Sequence, residues 1–300
     1  MTKPATLLTK ASLACIVRRV LPLSSRKTIA IWLRAIGIRG RGWWAFEVLR
    51  DLREEDPDAY HRFLWSHHLA YASSYNARRR FGRDNIEPVR HMLFADMKSY
   101  LASVGYLSET RVESVLEVGC SLGYLLRYLE TDVFLRAAVF HGVDIDQHAI
   151  ADGTAALASV GSKVRLRLGD MVELSEVVGD RKYDVVICVG VLMYLHRAAA
   201  TQVVQAMLER ASWVAILGGL AEPESDPSAR DESRVRVSDG TFVHNLDRMV
   251  EAAGGKVVYR RWEPRKVHGY VPYWVFAHRP RAGPTAGRPT PTVADSAPQG

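Results

Sequence analysis

From Ser114 onward, short apolar runs alternate with helix-length patterns, and this alternation constrains the fold more than any other feature of the chain. Such an alternation is typical of strand–helix–strand units built around a parallel sheet. Seven strands are predicted, at Ser114–Val118, Ala138–Val143, Lys163–Leu168, Tyr183–Val189, Trp213–Leu217, Lys256–Arg260 and Val271–Ala277. The expected fold is therefore an α/β, doubly wound, seven-stranded and mostly parallel sheet, with an α-helical N-terminal cap.

The pattern within a strand predicts its place in the sheet. Lys163–Leu168 alternates apolar residues with arginines, so it should lie near an edge, where one face meets solvent. Tyr183–Val189 is nearly all apolar, so it should lie in the centre, buried on both faces. A helix is expected from Phe242 to Ala253, because Gly254 and Gly255 form a stop signal.

The positive charge of the chain is concentrated at one end. Residues 1–42 contain nine basic side chains and no acidic one: Lys3, Lys10, Arg18, Arg19, Arg26, Lys27, Arg34, Arg39 and Arg41. Their apolar stretches are shorter than the ~20 residues that a membrane-spanning helix needs. Three interpretations of residues 1–42 stay open: an amphipathic arm lying on an anionic membrane, a solvated helical extension, and an organellar transit peptide. Because the rest of the chain is nearly neutral, no nucleic-acid partner is expected.

Composition divides the remainder into three segments. Residues 43–110 are rich in aromatic side chains and histidine, which predicts a cap of several short helices. Residues 111–278 form the sheet domain, and residues 279–300, with five prolines and three glycines, predict a disordered tail. The three cysteines, Cys15, Cys120 and Cys188, are too widely separated for a disulfide framework or a metal site, which favours a reducing, cytoplasmic compartment.

The first predicted strand runs through a glycine-containing loop into a helix, where an α/β sheet commonly presents a ligand crevice. A dinucleotide fingerprint starting at Gly119 would need glycine at positions 121 and 124, but Ser121 and Tyr124 stand there, and the second glycine is Gly123. No GxxxxGK[ST] sequence occurs either. The spacing therefore disfavours a nicotinamide or flavin site and a nucleoside triphosphate site.

The ExGxxxG stretch from Glu117 to Gly123 resembles the first motif of the class I S-adenosylmethionine-dependent methyltransferases. Three further stretches follow in that family's order, at His141–Asp146, Leu168–Met171 and Tyr183–Leu195. The resemblance covers about residues 115–278. It implies that 111–278 is a methyltransferase domain and that S-adenosylmethionine is the cofactor.

The resemblance also implies roles for residues. Gly119 and Gly123 would let the backbone approach the methionine part of the cofactor, Glu117 would hold its ammonium group, and Ser121 would add a hydroxyl contact. Asp144 would bind the ribose hydroxyls, with a helix cap as the alternative role, and Asp170 would contact the adenine amino group, with an ordinary turn residue as the alternative. The cofactor-binding residues expected are Glu117, Gly119, Ser121, Gly123, Asp144, Ile145, Asp170, Met171 and Val189.

The sulfonium of this cofactor is already electrophilic, so the enzyme mainly aligns the reacting atoms and excludes water. Tyr194 and His196, just after the fourth strand, are the expected catalytic residues, with His244 and Glu222 as further candidates near the cofactor. The fourth strand is followed by neither an Asn/Asp-Pro-Pro sequence nor an acid suited to magnesium. We therefore expect metal-free transfer to oxygen or nitrogen of a small molecule, sugar or lipid-linked precursor. The protein is expected to be cytoplasmic, and under the first of the three interpretations of residues 1–42 it would touch the inner membrane surface through them. A cofactor-binding module without catalysis and a NAD-type Rossmann oxidoreductase are the alternatives.

Overall fold

Seven strands form one sheet in the computed structural model, which describes residues 10–36, 44–70, 81, 86–105, 112–221, 232–263, 266 and 270–280. They are β1 (Ser114–Val118), β2 (Val139–Asp144), β3 (Val164–Leu168), β4 (Tyr183–Val189), β5 (Ala211–Ala221), β6 (Lys256–Trp262) and β7 (Val271–His278). Their order across the sheet is β3-β2-β1-β4-β5-β7-β6. β1 to β5 pair in parallel, whereas β7 runs antiparallel to both β5 and β6. The predicted seven-stranded, mostly parallel sheet is confirmed.

Two strand positions follow the predicted pattern. β3 lies at one edge and β4 lies in the centre, between β1 and β5. Four consecutive residues of β4, Val185–Cys188, are buried, whereas β3 keeps the side chain of Leu168 exposed. The main difference is in β5, which extends well beyond the predicted Trp213–Leu217 because its second half continues to pair with β7 as far as Ala221.

The α helices of the described residues lie before, between and after the strands. They are α1 (Lys10–Val20), α2 (Leu23–Ala35), α3 (Arg50–Glu55), α4 (Pro57–Ser66), α5 (Pro88–Ser103), α6 (Tyr124–Tyr128), α7 (Gln147–Ser159), α8 (Leu174–Val178), α9 (Arg197–Arg210) and α10 (Leu246–Ala252). Short π-helical turns at Trp44–Val48 and Leu129–Val133 and 3₁₀ turns at Met171–Glu173 and Leu192–Tyr194 complete them.

The sheet is covered on both faces, as a doubly wound fold requires. On one face, Leu116 and Val118 of β1 share a buried apolar cluster with residues of α9 and α10. On the other face, Val115 of β1 shares a cluster with residues of α5 and α6. Asp96 of α5 also accepts hydrogen bonds from Trp274 Nε1 and Arg261 Nη1, each at 3.0 Å. The last helix of the region predicted as the cap therefore packs on the sheet, and the division at residue 110 stays a prediction.

One predicted helix is wrong at its start. The helix expected from Phe242 begins at Leu246, because the Asn245 side chain caps it by accepting a hydrogen bond from Arg248 N at 3.1 Å. Phe242–Val243 instead pairs with Arg234–Val235 in a small antiparallel ribbon.

The described part of the basic N-terminal segment is folded onto the short helices that follow it. Arg26 of α2 is buried and forms two hydrogen bonds to the Asp51 carboxylate, at 2.6 and 2.5 Å, and one to Val48 O at 2.6 Å. Arg18 of α1 donates to Glu47 O. None of the helices in the described residues is long and apolar enough to cross a bilayer. The predicted tail lies almost entirely outside the described residues.

Candidate active site

A cleft of about 580 Å³ opens at the carboxyl ends of the parallel strands, beneath α4. This is the edge at which ligands bind in open α/β sheets. Its walls come from the loops after β1 to β4 and from α4: Arg62, Trp65, Gly119, Ser121, Asp144, Ile145, Asp170, Met171, Val191, Tyr194 and Leu195.

The loop after β1 needs left-handed backbone at three positions. Gly119 and Gly123 have φ of +78° and +75°, and Ser121 has φ of +49°, an uncommon value for a residue with a side chain. Gly119 N and Cys120 N both donate to Val143 O of β2, at 2.8 and 3.1 Å, which fixes the loop over the neighbouring strand. A Cβ atom at Gly119 would lie 2.5 Å from a methyl carbon of Val191, so only glycine fits there.

Asp144, at the end of β2, is buried in the cleft wall. Its two oxygens accept hydrogen bonds from Ser121 N at 2.7 Å and Asp146 N at 2.9 Å. Burial raises the pKa of this carboxyl to about 6, against the opposing effect of the backbone amides. Asp146, not Asp144, caps α7 by accepting from His148 N and Ala149 N, each at 3.0 Å. The alternative role of Asp144 as a helix cap is therefore wrong.

Glu117 lies on the opposite side of the loop, facing α5. Burial raises its pKa to about 8, although nearby Arg90 favours the charged form. Its Oε2 is buried without a hydrogen-bond partner among the described residues. Glu117, Arg90 and Val189 line a second, narrow pocket, and neither Glu117 nor Val189 lines the main cleft. Gly123 begins α6 and also lies outside the cleft lining.

Asp170, after β3, forms part of the cleft and begins the 3₁₀ turn by accepting from Val172 N at 3.0 Å. Its other oxygen pairs with Arg62 of α4. The neighbouring Ile145 and Met171 line the cleft as well. The described structure therefore gives Asp170 both the turn role and a place in the site.

The two expected catalytic residues are placed differently. Tyr194 lines the cleft, with its ring 5.1 Å from the His61 ring and 5.0 Å from the Trp65 ring. His196 is exposed and caps α9, since its Nδ1 accepts from Ala199 N at 3.4 Å, and it does not line the cleft. Nothing in this geometry supports a base role for His196.

His244 is buried behind the same loop, where its Nε2 lies 3.0 Å from Leu192 O and 3.1 Å from Leu195 O. Burial lowers its pKa to about 4, so it stays neutral and donates to these carbonyls. It supports the loop that carries Tyr194. Glu222 lies outside the described residues.

Sequence reasoning missed the contribution of α4. Asp58, His61, Arg62 and Trp65 lie on one face of this helix, and each contacts a loop of the sheet or its side chains. Asp58 accepts from His196 N at 3.1 Å. Their i, i+3, i+4, i+7 spacing was visible in the sequence and indicates one helix face. The polar and aromatic face of this helix, next to its apolar face, is the sequence feature that could have predicted α4 as a wall of the cleft.

Comparison with known proteins supports the family. Residues 115–211 match the family described as a methyltransferase domain. This part of the chain is thus a methyltransferase domain of the class I, S-adenosylmethionine-dependent kind. A search of curated proteins gives no match.

Solved structures share the methyltransferase fold. Magnesium protoporphyrin IX methyltransferase from Synechocystis PCC 6803, with bound S-adenosylhomocysteine, has a TM-score of 0.51 and 16% identity over 75% of this chain and 100% of that chain. A S-adenosylmethionine-dependent methyltransferase from Leishmania major has a TM-score of 0.53 and 14% identity over 78% of this chain and 90% of that chain. At these identities the likeness is one of fold.

The residues of the methyltransferase site fit this cofactor. The Gly119 backbone provides a surface free of side chain, and Ser121 adds a buried Oγ with no hydrogen-bond partner in the described part of the chain. Asp144 presents a buried carboxylate, and Glu117 presents an unpaired oxygen nearby. Such buried, unsatisfied polar atoms are costly in a folded protein unless a ligand or water completes them.

Proposed function

We propose that this methyltransferase moves a methyl group to an oxygen or nitrogen of a small molecule, sugar or lipid-linked precursor that stacks in the α4 side of the cleft. The observation that carries the proposal is that one cleft is lined both by glycine and carboxylate residues of the sheet and by aromatic side chains. Gly119, Asp144 and Asp170 line the cleft from the carboxyl ends of β1 to β3, and Trp65 and Tyr194 add aromatic surface to the same cleft. Aromatic faces bind planar rings and the apolar faces of sugars through stacking and burial of apolar surface.

The loops of the sheet would hold the cofactor. Each Asp144 oxygen accepts one amide and keeps a second lone pair, so the carboxylate can also accept the two ribose hydroxyls. The Gly119 and Ser121 backbone would approach the methionine part, with Glu117 receiving the ammonium group. Ile145 and Met171 would contact the adenine, and Asp170 its amino group, beside Arg62.

The bound cofactor supplies an electrophilic methyl group on a sulfonium. The chain then has to orient the acceptor and keep water out of the cleft. Val191 and Leu195 give the cleft an apolar wall, and Trp65 covers it from α4. Tyr194 would contact the acceptor. An acceptor that has lost its proton before the methyl group is transferred needs no base from the chain.

Calorimetric titration with S-adenosylhomocysteine, followed by transfer of labelled methyl from S-adenosylmethionine to a panel of ring-bearing small molecules, sugars and lipid-linked sugars, tests the proposal. We expect binding, and transfer to at least one acceptor class that falls when Trp65 is replaced by Ala. Leu135→Ala, an exposed apolar residue away from the cleft, is the matched control. Binding without transfer to any acceptor would favour the cofactor-binding module, and no binding would contradict the site.

We further propose a cytoplasmic protein whose α1 lies on the anionic inner membrane surface. Leu13, Ile16 and Val20 are 45%, 45% and 72% exposed and share one helix face by their i, i+3, i+7 spacing. Arg19 is exposed beside them, and residues 1–42 contain no acid. Exposed apolar side chains next to basic ones favour an anionic lipid surface, where each basic residue contributes about 1 kcal/mol. A lipid-linked acceptor would then be presented close to the cleft.

Sedimentation with vesicles that contain anionic lipid tests this contact. The full chain should sediment at low salt and be released as salt rises, since screening weakens the attraction. Serine at positions 13, 16 and 20 should abolish sedimentation, whereas serine at the similarly exposed Leu135 and Val160 should not. Equal sedimentation of both variants would contradict a contact through α1.

A further inference from the structure

The chain turns sharply where α4 ends, at a residue with an unusual backbone conformation. α4 ends at Ser66, and His68, two residues later, has a φ of +55°, in the left-handed region that residues with a side chain seldom occupy. Among the described residues other than glycine, Ser121 alone shares a positive φ with it. Such a conformation persists only where its surroundings fix it, and it is commonly found at functional sites.

The side chain of His68 reaches the loop after β2. Its Nδ1 atom lies 2.6 Å from Oδ2 of Asp146, a residue that is only 1% exposed. The other oxygen of this carboxylate, Oδ1, caps α7 by accepting from His148 N and Ala149 N. Because a buried carboxylate oxygen without a hydrogen-bond donor is costly, His68 provides the contact that Oδ2 needs.

Asp146 in turn holds Asp144, which lines the cleft. The backbone N–H of Asp146 donates to Asp144 Oδ1 at 2.9 Å, and Ser121 N donates to Asp144 Oδ2 at 2.7 Å. A continuous series of hydrogen bonds therefore runs from His68 through Asp146 to the carboxylate in the cleft wall. The end of α4 is thus connected to the part of the cleft in which we place the ribose.

We propose that His68 is a positioning residue for cofactor binding: by holding Asp146, it fixes the loop after β2 so that Asp144 presents its carboxylate to the ribose hydroxyls. His68 lies in the segment before the sheet, outside the four stretches of sequence that resemble the family's motifs. The inference rests on the ribose role of Asp144 proposed above. The opposing explanation is that His68 only ends α4 and that its contact with Asp146 serves the fold alone.

Two substitutions separate the hydrogen bond from the backbone conformation. His68→Gly accepts the positive φ and removes the side-chain donor. His68→Asn also tolerates this φ, and its amide nitrogen, like Nδ1, is bonded directly to Cγ, so it keeps a donor at nearly the same place. The matched control is His148→Asn, which removes an exposed imidazole whose ring lies 5.5 Å from that of His68.

The ligands are S-adenosylhomocysteine and its 2′,3′-dideoxy analogue, which lacks the ribose hydroxyls. Calorimetry should show that His68→Gly binds S-adenosylhomocysteine about 5- to 20-fold more weakly than the wild type and the analogue within about twofold of it. His68→Asn and the control should keep the wild-type ratio of the two affinities. An unfolded fraction lowers the stoichiometry for both ligands equally and leaves this ratio unchanged.

Two results would overturn the inference. A wild-type ratio of affinities in His68→Gly would leave His68 as the end of α4 only. A ratio in His68→Asn as low as that in His68→Gly would show that the donor to Asp146 is not what positions the loop.

A wild type that binds both ligands equally would contradict the ribose role of Asp144 instead. Hydrogen exchange of the Asp146 amide, measured by NMR without ligand, tests the positioning separately, because this amide donates to Asp144. We expect faster exchange in His68→Gly than in the wild type and His68→Asn. Equal exchange in all three proteins would show that His68 does not hold the loop.

Discussion

Asp144 stabilises the loop after β1 before it meets any ligand. Its carboxylate accepts hydrogen bonds from Ser121 N and Asp146 N, so it holds the loop that carries Gly119 against the loop after β2. In the proposed function, Asp144 therefore serves both the fold and the cofactor. Its substitution should therefore change both the free energy of unfolding and the affinity for the cofactor.

We expect Asp144→Ala to lower the free energy of unfolding by about 1–3 kcal/mol, because two buried amides lose their acceptor. Affinity for S-adenosylhomocysteine should fall by a further 1.5–3 kcal/mol, roughly, through loss of charge-assisted hydrogen bonds. Denaturant unfolding and calorimetry measure the two effects, with the exposed Asp152→Ala as control. An unchanged affinity would leave Asp144 as a brace of the loop only.

The raised pKa of Glu117 predicts a pH effect with a definite sign. Its pKa rises from 4.5 to about 8 in the folded chain without ligand, so between these values the folded state binds more protons than the unfolded state. The contribution of Glu117 to stability therefore declines as the pH rises from about 4.5 to about 8. Glu117→Gln, which cannot ionise, should be more stable than the wild type at pH 8.

Thermal unfolding of both proteins without ligand at pH 5 and pH 8 tests this sign. The advantage of Glu117→Gln should be small at pH 5, where the wild-type carboxyl is protonated in the folded chain. An equal difference at both pH values would mean that the substitution acts through packing rather than through charge.

At the scale of elements, the sequence predicted the strands and the loops after them, but it did not predict that α4 forms a wall of the cleft. The alternation of Lys163–Leu168 and the apolar run of Tyr183–Val189 correctly predicted an edge and a central strand. Glu117 and Asp144 lie at the carboxyl ends of β1 and β2, and Gly119 comes directly after β1, so local spacing indicated them. Their binding roles stay predictions.

The contacts of α4 join residues far apart in the chain, which local spacing does not report. Arg62 pairs with Asp170 across 108 positions, and His68, just after α4, lies 2.6 Å from an Asp146 oxygen. Neither pairing has a signal in a single sequence. His196 shows the converse: its position after β4 suggested chemistry, but the start of α9 uses its side chain as a cap.

The pair formed by Arg62 and Asp170 links α4 to the loop after β3, at the rim of the cleft. Arg62→Met should weaken S-adenosylhomocysteine binding by about 0.5–1 kcal/mol, mainly through faster dissociation, because this partly exposed pair contributes modestly. Stopped-flow dissociation measures the effect, with Arg50→Met as control for loss of an exposed, paired arginine. Tighter binding by Arg62→Met would show instead that Arg62 competes with the cofactor for Asp170.

At the scale of the whole molecule, α1 and α2 stabilise the short helices that follow them, including α4, which forms a wall of the cleft. Ala30 of α2 shares an apolar cluster with Leu49, Leu52 and Phe63, and Arg26 pairs with Asp51. A chain beginning at Gly42 would lose these contacts and expose the apolar side of α3 and α4. The segment that faces the membrane in our proposal is thus also part of the fold.

We expect a chain beginning at Gly42 to unfold at lower temperature than the full chain and still to bind S-adenosylhomocysteine, since the loops of the sheet are retained. Arg26→Met should reproduce part of this loss of stability, about 1–3 kcal/mol, because the Asp51 carboxylate would lose its hydrogen-bond donor. Thermal scans and calorimetry check both. An unchanged unfolding temperature would mean that α1 and α2 contribute nothing to the stability of the region that follows.

The position of β7 sets a limit on the order of assembly during synthesis. β7 is the last strand of the described residues, yet it lies between β5 and β6 and supplies the pairing that holds β6 in the sheet. On the ribosome, β6 therefore has no partner until residues 271–278 emerge, and the long edge of β5 waits unpaired as well. Unpaired strand edges invite association between nascent chains. The half of the sheet farthest from β3 is thus the last part of this sheet to complete its pairing, and the part most open to association until then.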